Sequence, residues 1–256
     1  MIDKVIEIAK EAGKFLKENE GKISEIEEKG SFTNLVTNID KGSETKIKNF
    51  VEKNFPGHGV LAEESGISSP SSEYRWIIDP LDGTTNFTHS FPVYCVSIAV
   101  EHKGEVVAGA VYDPNFDELF SAEKGGGAFL NGKRLVVTPA DKLERSMLAT
   151  GFPYDVKDNP FHCVEHFEAF LVRAQAVRRL GSAALDICYV AAGRLDGFWE
   201  VNLHPWDTAA AVLITTEAGG KVTGFHGEKY SIYQKDIVLS NGKIHDEMLK
   251  VIRQNL

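Results

Sequence analysis

The stretch Trp76–Phe87, WIIDPLDGTTNF, joins a short apolar run to two aspartates, a glycine and two threonines. The apolar residues predict a buried strand, which we expect to end at Asp79. Pro80 fixes the backbone and has no N–H to donate to a sheet, so we expect the chain to turn there and bring Asp82 beside Asp79. The stretch therefore predicts two neighbouring carboxylates at the edge of a sheet.

Two carboxylates held close together in a partly dry site repel each other and need compensation. That compensation is either a shared proton or a hard divalent cation, for which the Leu81 carbonyl is a candidate third oxygen ligand. Gly83 would let the backbone approach a ligand closely, and a helical turn from Thr84 would point free amides at an anion. The same string is also ordinary turn and capping chemistry, so both interpretations stay open at this point.

Further acids stand at the ends of predicted elements. Glu63 and Glu64 follow a short strand, whereas Asp40 and Asp207 stand where helices begin. Taken singly, the glutamates are typical of a solvated loop edge and the aspartates of helix N-caps. If they all face one cleft, they form a richer acidic set than turn chemistry alone produces.

The composition limits the classes of function. The chain has 256 residues, a length that suits one large domain or two small ones, and its net charge of −9 argues mildly against nucleic-acid binding. The three cysteines stand in apolar surroundings without metal-ligand spacing, which favours core positions in a reducing compartment. The N-terminus lacks a signal-peptide pattern and no stretch is apolar enough for a membrane span, so we expect a cytoplasmic protein.

Hydrophobic patterning predicts a mixture of helices and strands rather than an all-parallel sheet. The predicted helices are 2–18, 38–55, 159–171, 182–193, 204–220 and 242–254. The predicted strands include one with its exit at 59–65, one at 74–79, one at 235–241 and a hairpin around 102–105. Residues 65–74 are predicted to be a surface loop. The fold class is therefore α+β (mixed α/β), with an expected division into halves 1–145 and 146–256.

Three motifs, LAEES (61–65), WIIDPLDGTTNF (76–87) and HPWDTAAAVLITTEAGG (204–220), resemble those of the inositol monophosphatase family. These are magnesium-dependent, lithium-sensitive phosphomonoesterases, and the likeness extends from LVTNID (35–40) to the last helix. The resemblance implies a layered α-β-α-β-α sandwich of the sugar phosphatase type, with residues 1–145 as the metal- and phosphate-binding half and 146–256 as the substrate side. It also implies a homodimer.

The resemblance also implies residue roles. Two or three Mg²⁺ ions, or Mn²⁺, would be held by Glu63, Asp79, the Leu81 carbonyl, Asp82 and Asp207. The attacking water would be oriented by Glu63 and Thr84, with Asp40 in the supporting network. The substrate would be bound by Gly83, Thr84, Gly181, Ser182, Ala183, Glu200 and Asp207. Lys29, on a mobile loop, and Glu64 would support the site.

The implied reaction is hydrolysis of inositol 1-phosphate or a similar sugar phosphate by metal-activated water. A dual inositol monophosphatase/fructose-1,6-bisphosphatase is the alternative, because Arg173, Arg178 and Arg179 could form a second anion site. The simpler interpretation leaves these arginines in solvent or at a subunit contact. A second alternative is a non-catalytic regulatory protein that binds RNA polymerase.

Overall fold

The computed structural model of the protein describes residues 1–68 and 72–254. Its helices are α1 (Ile2–Glu18), α2 (Asn38–Asn54), α3 (Thr84–Thr88), α4 (Cys163–Leu171), α5 (Ala183–Ala191), α6 (Pro205–Glu217) and α7 (His245–Arg253). Its strands are β1 (Ile26–Glu28), β2 (Leu35–Thr37), β3 (Gly59–Ala62), β4 (Gly66–Ser68), β5 (Tyr74–Asp82), β6 (Cys95–His102), β7 (Glu105–Asp113), β8 (Glu118–Glu123), β9 (Gly127–Leu130), β10 (Lys133–Arg134), β11 (Met147–Thr150), β12 (Ala176–Arg178), β13 (Gly197–Val201), β14 (Lys221–Thr223) and β15 (Asp236–Ser240).

The strands form two large sheets in successive parts of the chain. An eight-stranded sheet has the order β10-β9-β8-β7-β6-β5-β3-β4, and a five-stranded sheet has the order β12-β11-β13-β15-β14. β1 and β2 pair separately. In the first large sheet β3 and β5 run parallel while β5 to β10 follow one another antiparallel, as the hairpin pattern predicts. The expected division at residue 145 stays a prediction.

Alternating side chains along the strands pack the sheets into five layers. Trp76 and Ile78 face the cluster formed with α1 and α2, whereas Ile77 faces the cluster formed with α5 and α6. Phe198 on β13 also belongs to that central cluster, and Trp199 faces the cluster formed with α4 and α7. The predicted α-β-α-β-α sandwich is therefore confirmed, and Asp79 and Glu200 fall on the strand faces directed at the central helices.

The end of β5 differs from its prediction. The strand continues to Asp82, since Asp79 pairs with Ser97 and Asp82 pairs with Cys95 across a register shift. One extra residue on β5 makes a bulge, a place where a strand accommodates a proline without an N–H. The expectation that β5 ends at Asp79 is wrong, although the bulge does re-aim the backbone between the two aspartates.

The boundaries of other elements differ from their predicted positions by a few residues. The helix predicted at 159–171 begins as a short 3₁₀ turn and becomes α-helical at Cys163, and the last helix begins at His245 rather than 242. The segment 65–74 contains β4, and its residues 69–71 lie outside the described part of the chain. Strands β1, β2 and β14 have only three residues each, too few for a periodic pattern to predict them.

The cysteines are buried and unpaired, as their apolar surroundings predict. In the 1–68 and 72–254 ranges, the helices are too short or too polar to cross a bilayer.

The first residue of α7 joins that helix to the five-stranded sheet. His245 is fully buried, with Nε2 2.9 Å from Thr223 Oγ1 and Nδ1 3.0 Å from Ser240 Oγ. The Thr223 hydroxyl donates to the Gly224 carbonyl, so we assign Nε2–H as the donor to Thr223. Ser240 then donates to Nδ1. This arrangement requires a neutral imidazole, and burial lowers the pKa of His245 to about 4.

We expect acid to destabilise the fold through His245. Because its folded-state pKa lies near 4 and the unfolded value is about 6.5, the unfolded chain takes up this proton first as the pH falls. The stabilisation is complete above pH 6.5, and about 2 kcal/mol of it is lost between pH 7.5 and 5. We expect urea unfolding at pH 7.5 and pH 5 to show that the free energy of unfolding falls by about 2 kcal/mol less in His245→Gln than in the wild type. An identical loss in wild type and variant would contradict the assignment.

Candidate active site

A cavity of about 450 Å³ opens beside the bulge of β5. Its walls come from both halves of the chain, because β5 ends there next to α5, β13 and α6. Of the predicted site residues, Glu63, Asp82, Gly181, Ser182, Ala183, Glu200 and Asp207 border the cavity. Asp79 lies behind them at 2% exposure. The structure therefore brings together acids that are far apart in the sequence.

The acids are close enough to repel one another. Burial raises the pKa of Asp79 well above its usual range, and the charges of Glu63, Asp82 and Asp207 raise it further. Burial likewise raises the pKa of Asp207 well above normal, with Asp82 and Glu63 adding to the effect. The pKa of Glu63 rises to about 7, chiefly through burial. This is the electrostatic environment of a site that is stable only with added positive charge or bound protons.

Each aspartate of this set has one oxygen held by a protein donor. Asp79 Oδ1 accepts from the Leu81 amide at 3.0 Å, and Asp207 Oδ2 accepts from the His204 amide at 2.6 Å. Asp82 Oδ2 accepts from Ser182 Oγ at 2.6 Å and from the Ala184 amide at 2.8 Å. These bonds fix the orientation of each carboxylate and leave its second oxygen for another partner. Oriented ligands of this kind are typical of metal sites.

Helix capping supplies part of this orientation. Asp40 and Asp207 each stand at the third position of a helix, and each accepts from the backbone N–H of its N-cap residue, Thr37 or His204. The expectation that these aspartates are N-caps is therefore wrong, since Thr37 and His204 are the N-caps. Each aspartate instead takes part in a capping box from the third helical position, which occupies only one of its oxygens and is compatible with a second role.

Thr84 connects the bulge to α2. Its Oγ1 lies 2.8 Å from Asp40 Oδ1 and 3.1 Å from the Leu81 carbonyl oxygen. Asp40 is fully buried, and Thr37 holds its other oxygen. If the Thr84 hydroxyl donates to Asp40, its lone pairs remain free to accept a hydrogen bond from a water molecule.

Lys29 supplies the positive charge nearest to the glutamates. Its Nζ lies 3.0 Å from Glu63 Oε1 and 2.6 Å from Glu64 Oε1. In the described residues no three His, Cys, Asp or Glu side chains are already spaced as a complete metal shell. Of the five predicted ligands, Glu63, Asp82 and Asp207 thus border one cavity, whereas Asp79 and Leu81 are buried and do not line it, and the role of all five as ligands stays a prediction.

The turn after Asp82 is closely packed. Gly83 has a φ of +98°, and a Cβ there would lie 2.9 Å from the Val93 carbonyl oxygen. Asn86 Nδ2 donates to the carbonyls of Val93 and Leu180, at 2.7 and 2.8 Å, which joins the turn to the segment before Gly181. Both halves of the chain therefore fix the position of the Gly83 and Thr84 amides.

The far wall of the cavity carries Glu200. It is 8% exposed, and burial raises its pKa to about 8. A Cβ at Gly151 would collide with both of its carboxyl oxygens, so a side chain at that position would have to displace the Glu200 carboxyl group. All three arginines are exposed: Arg173 and Arg178 donate to nearby backbone carbonyls, whereas Arg179 borders the cavity.

Sequence reasoning missed three residues of this site. Gly151 makes room for Glu200, Asn86 ties the turn to the second half, and Asp186 lines the cavity. Asn86 lies inside the quoted motif, where a polar residue at a helix start gave a weak signal. Gly151 and Asp186 stand next to or within apolar runs, and their local sequence gave no signal of a role in the site.

The fold and the acidic cavity together define a class, that of layered phosphatases with carboxylate-rich sites. The model of the "Inositol monophosphatase family" matches residues 1–256, and the chain belongs to this family. The chain is 43% identical to "Phosphatase IMPL1, chloroplastic" of Arabidopsis thaliana, over 97% of this chain and 69% of that protein. It is 39% identical to the inositol-1-monophosphatase of Mesorhizobium japonicum, over 100% of this chain and 97% of that protein.

Other relatives carry a different name. The Nus factor SuhB of Vibrio cholerae is 42% identical over 100% of this chain and 97% of its own length. The crystal structure of the extragenic suppressor protein suhB of Bartonella henselae has a TM-score of 0.94 at 38% identity, covering 99% of this chain and 98% of that chain. The inositol monophosphatase of Anabaena has a TM-score of 0.88 at 39% identity, covering 100% and 96%. The family is one of phosphatases that act on small phosphate esters and are generally metal-dependent.

We expect Gly83→Ala to destabilise the protein more than an unhindered substitution of the same kind. Gly104 is the matched control, because its φ is +83° and nothing lies within 4 Å of a Cβ placed there. Gly104→Ala should cost about 1 kcal/mol for the left-handed backbone alone. Gly83→Ala should cost at least about 1 kcal/mol more, because its Cβ meets the Val93 carbonyl. Equal urea midpoints for the two variants would show that the turn is not tightly packed.

Proposed function

We propose that the protein is a magnesium-dependent phosphomonoesterase that hydrolyses inositol 1-phosphate or a similar sugar phosphate to the free alcohol and inorganic phosphate. The observation that carries the proposal is a cluster of carboxylates in which the half-buried Glu63, Asp82 and Asp207 lie near the buried Asp79, whose pKa burial and their charges raise together. The names of two relatives, a phosphatase and an inositol-1-monophosphatase, support the reaction class.

The donor set fits hard divalent cations. Carboxylate and carbonyl oxygens are the ligands that Mg²⁺ and Mn²⁺ prefer, and the cluster lacks soft sulfur ligands apart from Cys95, whose Sγ donates to Asp82. Two or three ions would be held by Glu63, Asp79, the Leu81 carbonyl, Asp82 and Asp207. When bound, such ions lower the pKa of water and neutralise phosphate charge.

The chain's own residues would position the attacking water and the phosphate. Thr84, with its own O–H directed at Asp40, would accept a hydrogen bond from the water, and Glu63 would accept a hydrogen bond from the other O–H of the water. The amides of Gly83 and Thr84 would donate to phosphate oxygens. Phosphoryl transfer depends mainly on such positioning and on charge stabilisation, so no covalent nucleophile is needed.

The remaining parts of the proposal concern substrate and assembly. Ala183, Gly181 and Glu200 would contact the alcohol portion, and the Ser182 hydroxyl would act through its bond to Asp82. Lithium sensitivity and a homodimer are proposed from the family likeness. A fructose bisphosphatase activity has weaker support, because Arg179 is the one of the three predicted arginines that borders the cavity. The name Nus factor SuhB on some relatives favours a regulatory role as the other candidate function.

We expect Asp82→Asn to abolish phosphatase turnover while the protein stays folded. The amide oxygen can still accept from Ser182 and Ala184, but the lost charge should lower kcat at least about 1000-fold. Phosphate release from inositol 1-phosphate and fructose 1,6-bisphosphate, with Mg²⁺, with chelator and with added Li⁺, measures this. Asp141→Asn, at an exposed aspartate away from the cavity, is the control and should retain full activity. Wild-type turnover by the Asp82 variant would refute the assigned role, and an inactive wild type would favour the regulatory alternative.

We expect Thr84→Val to lower kcat by about 100-fold with little change in KM, because the valine keeps the shape of threonine and removes the hydroxyl. Thr84→Ser keeps the hydroxyl and should retain most of the activity. Steady-state kinetics on inositol 1-phosphate compares the two variants. If serine is as damaging as valine, or if KM changes instead of kcat, Thr84 does not orient the water.

A further inference from the structure

The first turn of α5 carries a carboxyl group that the reaction proposed above does not use. Asp186 is 1% exposed, and its Oδ1 has no hydrogen-bond partner in the described residues. The side chain borders the cavity. It does not cap its helix either, since Ser182 accepts from the Leu185 amide and serves as the N-cap.

A carboxyl group in this position is costly for the free protein. An unpartnered buried acceptor costs about 1–3 kcal/mol, and a charged one costs more. Burial raises the pKa of Asp186 well above its usual range, and the charges of Glu200 and Asp82 raise it further. Residues 1–68 and 72–254 offer no hydrogen bond to Oδ1 that offsets this cost, so a bound molecule is the partner that the geometry leaves open.

The neighbours of Asp186 indicate which chemistry that molecule has. Glu200 faces the same cavity, and the charge of Arg179 lowers the pKa of both carboxyl groups. This wall therefore carries two carboxyl groups and one guanidinium group. Both carboxylates would repel a second phosphate group of the substrate there, whereas the hydroxyl groups of an uncharged polyol would donate hydrogen bonds to them.

We propose that Asp186 is a specificity-determining residue that accepts a hydrogen bond from a hydroxyl group of the substrate's alcohol portion, beside Glu200, and thereby favours polyhydroxylated monophosphates over bisphosphates. The positive charge of Arg179 attracts both carboxyl groups. The assignment rests on the proposed phosphatase function.

The test compares two substrates that differ in their hydroxyl groups. Asp186→Ala should lower kcat/KM for inositol 1-phosphate about 10- to 100-fold and leave 4-nitrophenyl phosphate within about twofold, because the second substrate has no hydroxyl to donate. Asp186→Asn keeps an acceptor oxygen and should recover part of the loss. It should also raise the melting temperature by about 3 °C, since the buried acid no longer has to be accommodated.

A structural role for Asp186 would give a different result. Equal losses on both substrates together with a lower melting temperature in the asparagine variant would overturn the proposal, as would unchanged kcat/KM for inositol 1-phosphate.

A binding measurement separates this proposal from the proposed function. Ligand-observed NMR with myo-inositol, in the presence of inorganic phosphate, needs no turnover. If wild type hydrolyses no phosphate ester, the proposed function fails; polyol binding that is lost in Asp186→Ala would still support the assignment of Asp186. Failure of wild type to bind myo-inositol, or equal binding by the variant, would overturn that assignment.

Discussion

Repulsion between carboxylates of the same cavity is the constraint on which the site depends. Burial and the neighbouring acids raise the pKa of Asp79 together, and they do the same at Asp207. Such a cluster cannot be held in place by its own attractions, because it has none. It is held by donors on the surrounding elements, each of which takes one oxygen, and by Lys29, which neutralises part of the charge of Glu63.

The donors explain why the acids stand at the ends of helices and strands. A helix start offers free N–H groups, and the caps of α2 and α6 each fix one carboxylate oxygen of Asp40 and Asp207. At the bulge of β5 the Leu81 amide does the same for Asp79. The turn-chemistry and ligand interpretations of these residues therefore do not exclude each other. The hydrogen bonds of the caps and turns fix the orientation of the carboxylates, and a metal ligand needs such a fixed orientation.

Most of the fold could be predicted from the sequence because apolar residues recur at helical or strand spacing in its long elements. The alternation of Trp76, Ile77 and Ile78 between two clusters is what a strand covered on both faces requires. Acidic positions at element ends were also predictable, since capping and strand-end patterns are local. The extension of β5 to Asp82 was not, because a bulge depends on how β6 pairs with it.

Residues that complete the cavity from the second half could not be predicted for a different reason. Gly151 matters because Glu200 lies against it, and that proximity is set by the parallel pairing of β11 with β13. Asp186 resembles any polar residue of a short helix until the packing of α5 between two sheets removes its solvent. Local patterns determine which residues could be ligands, whereas the layer packing determines which acids lose their water. A carboxyl group that has lost its water needs a hydrogen-bond or charge partner, so the packing of the layers, and not the motif alone, makes the acids of this cavity depend on such a partner.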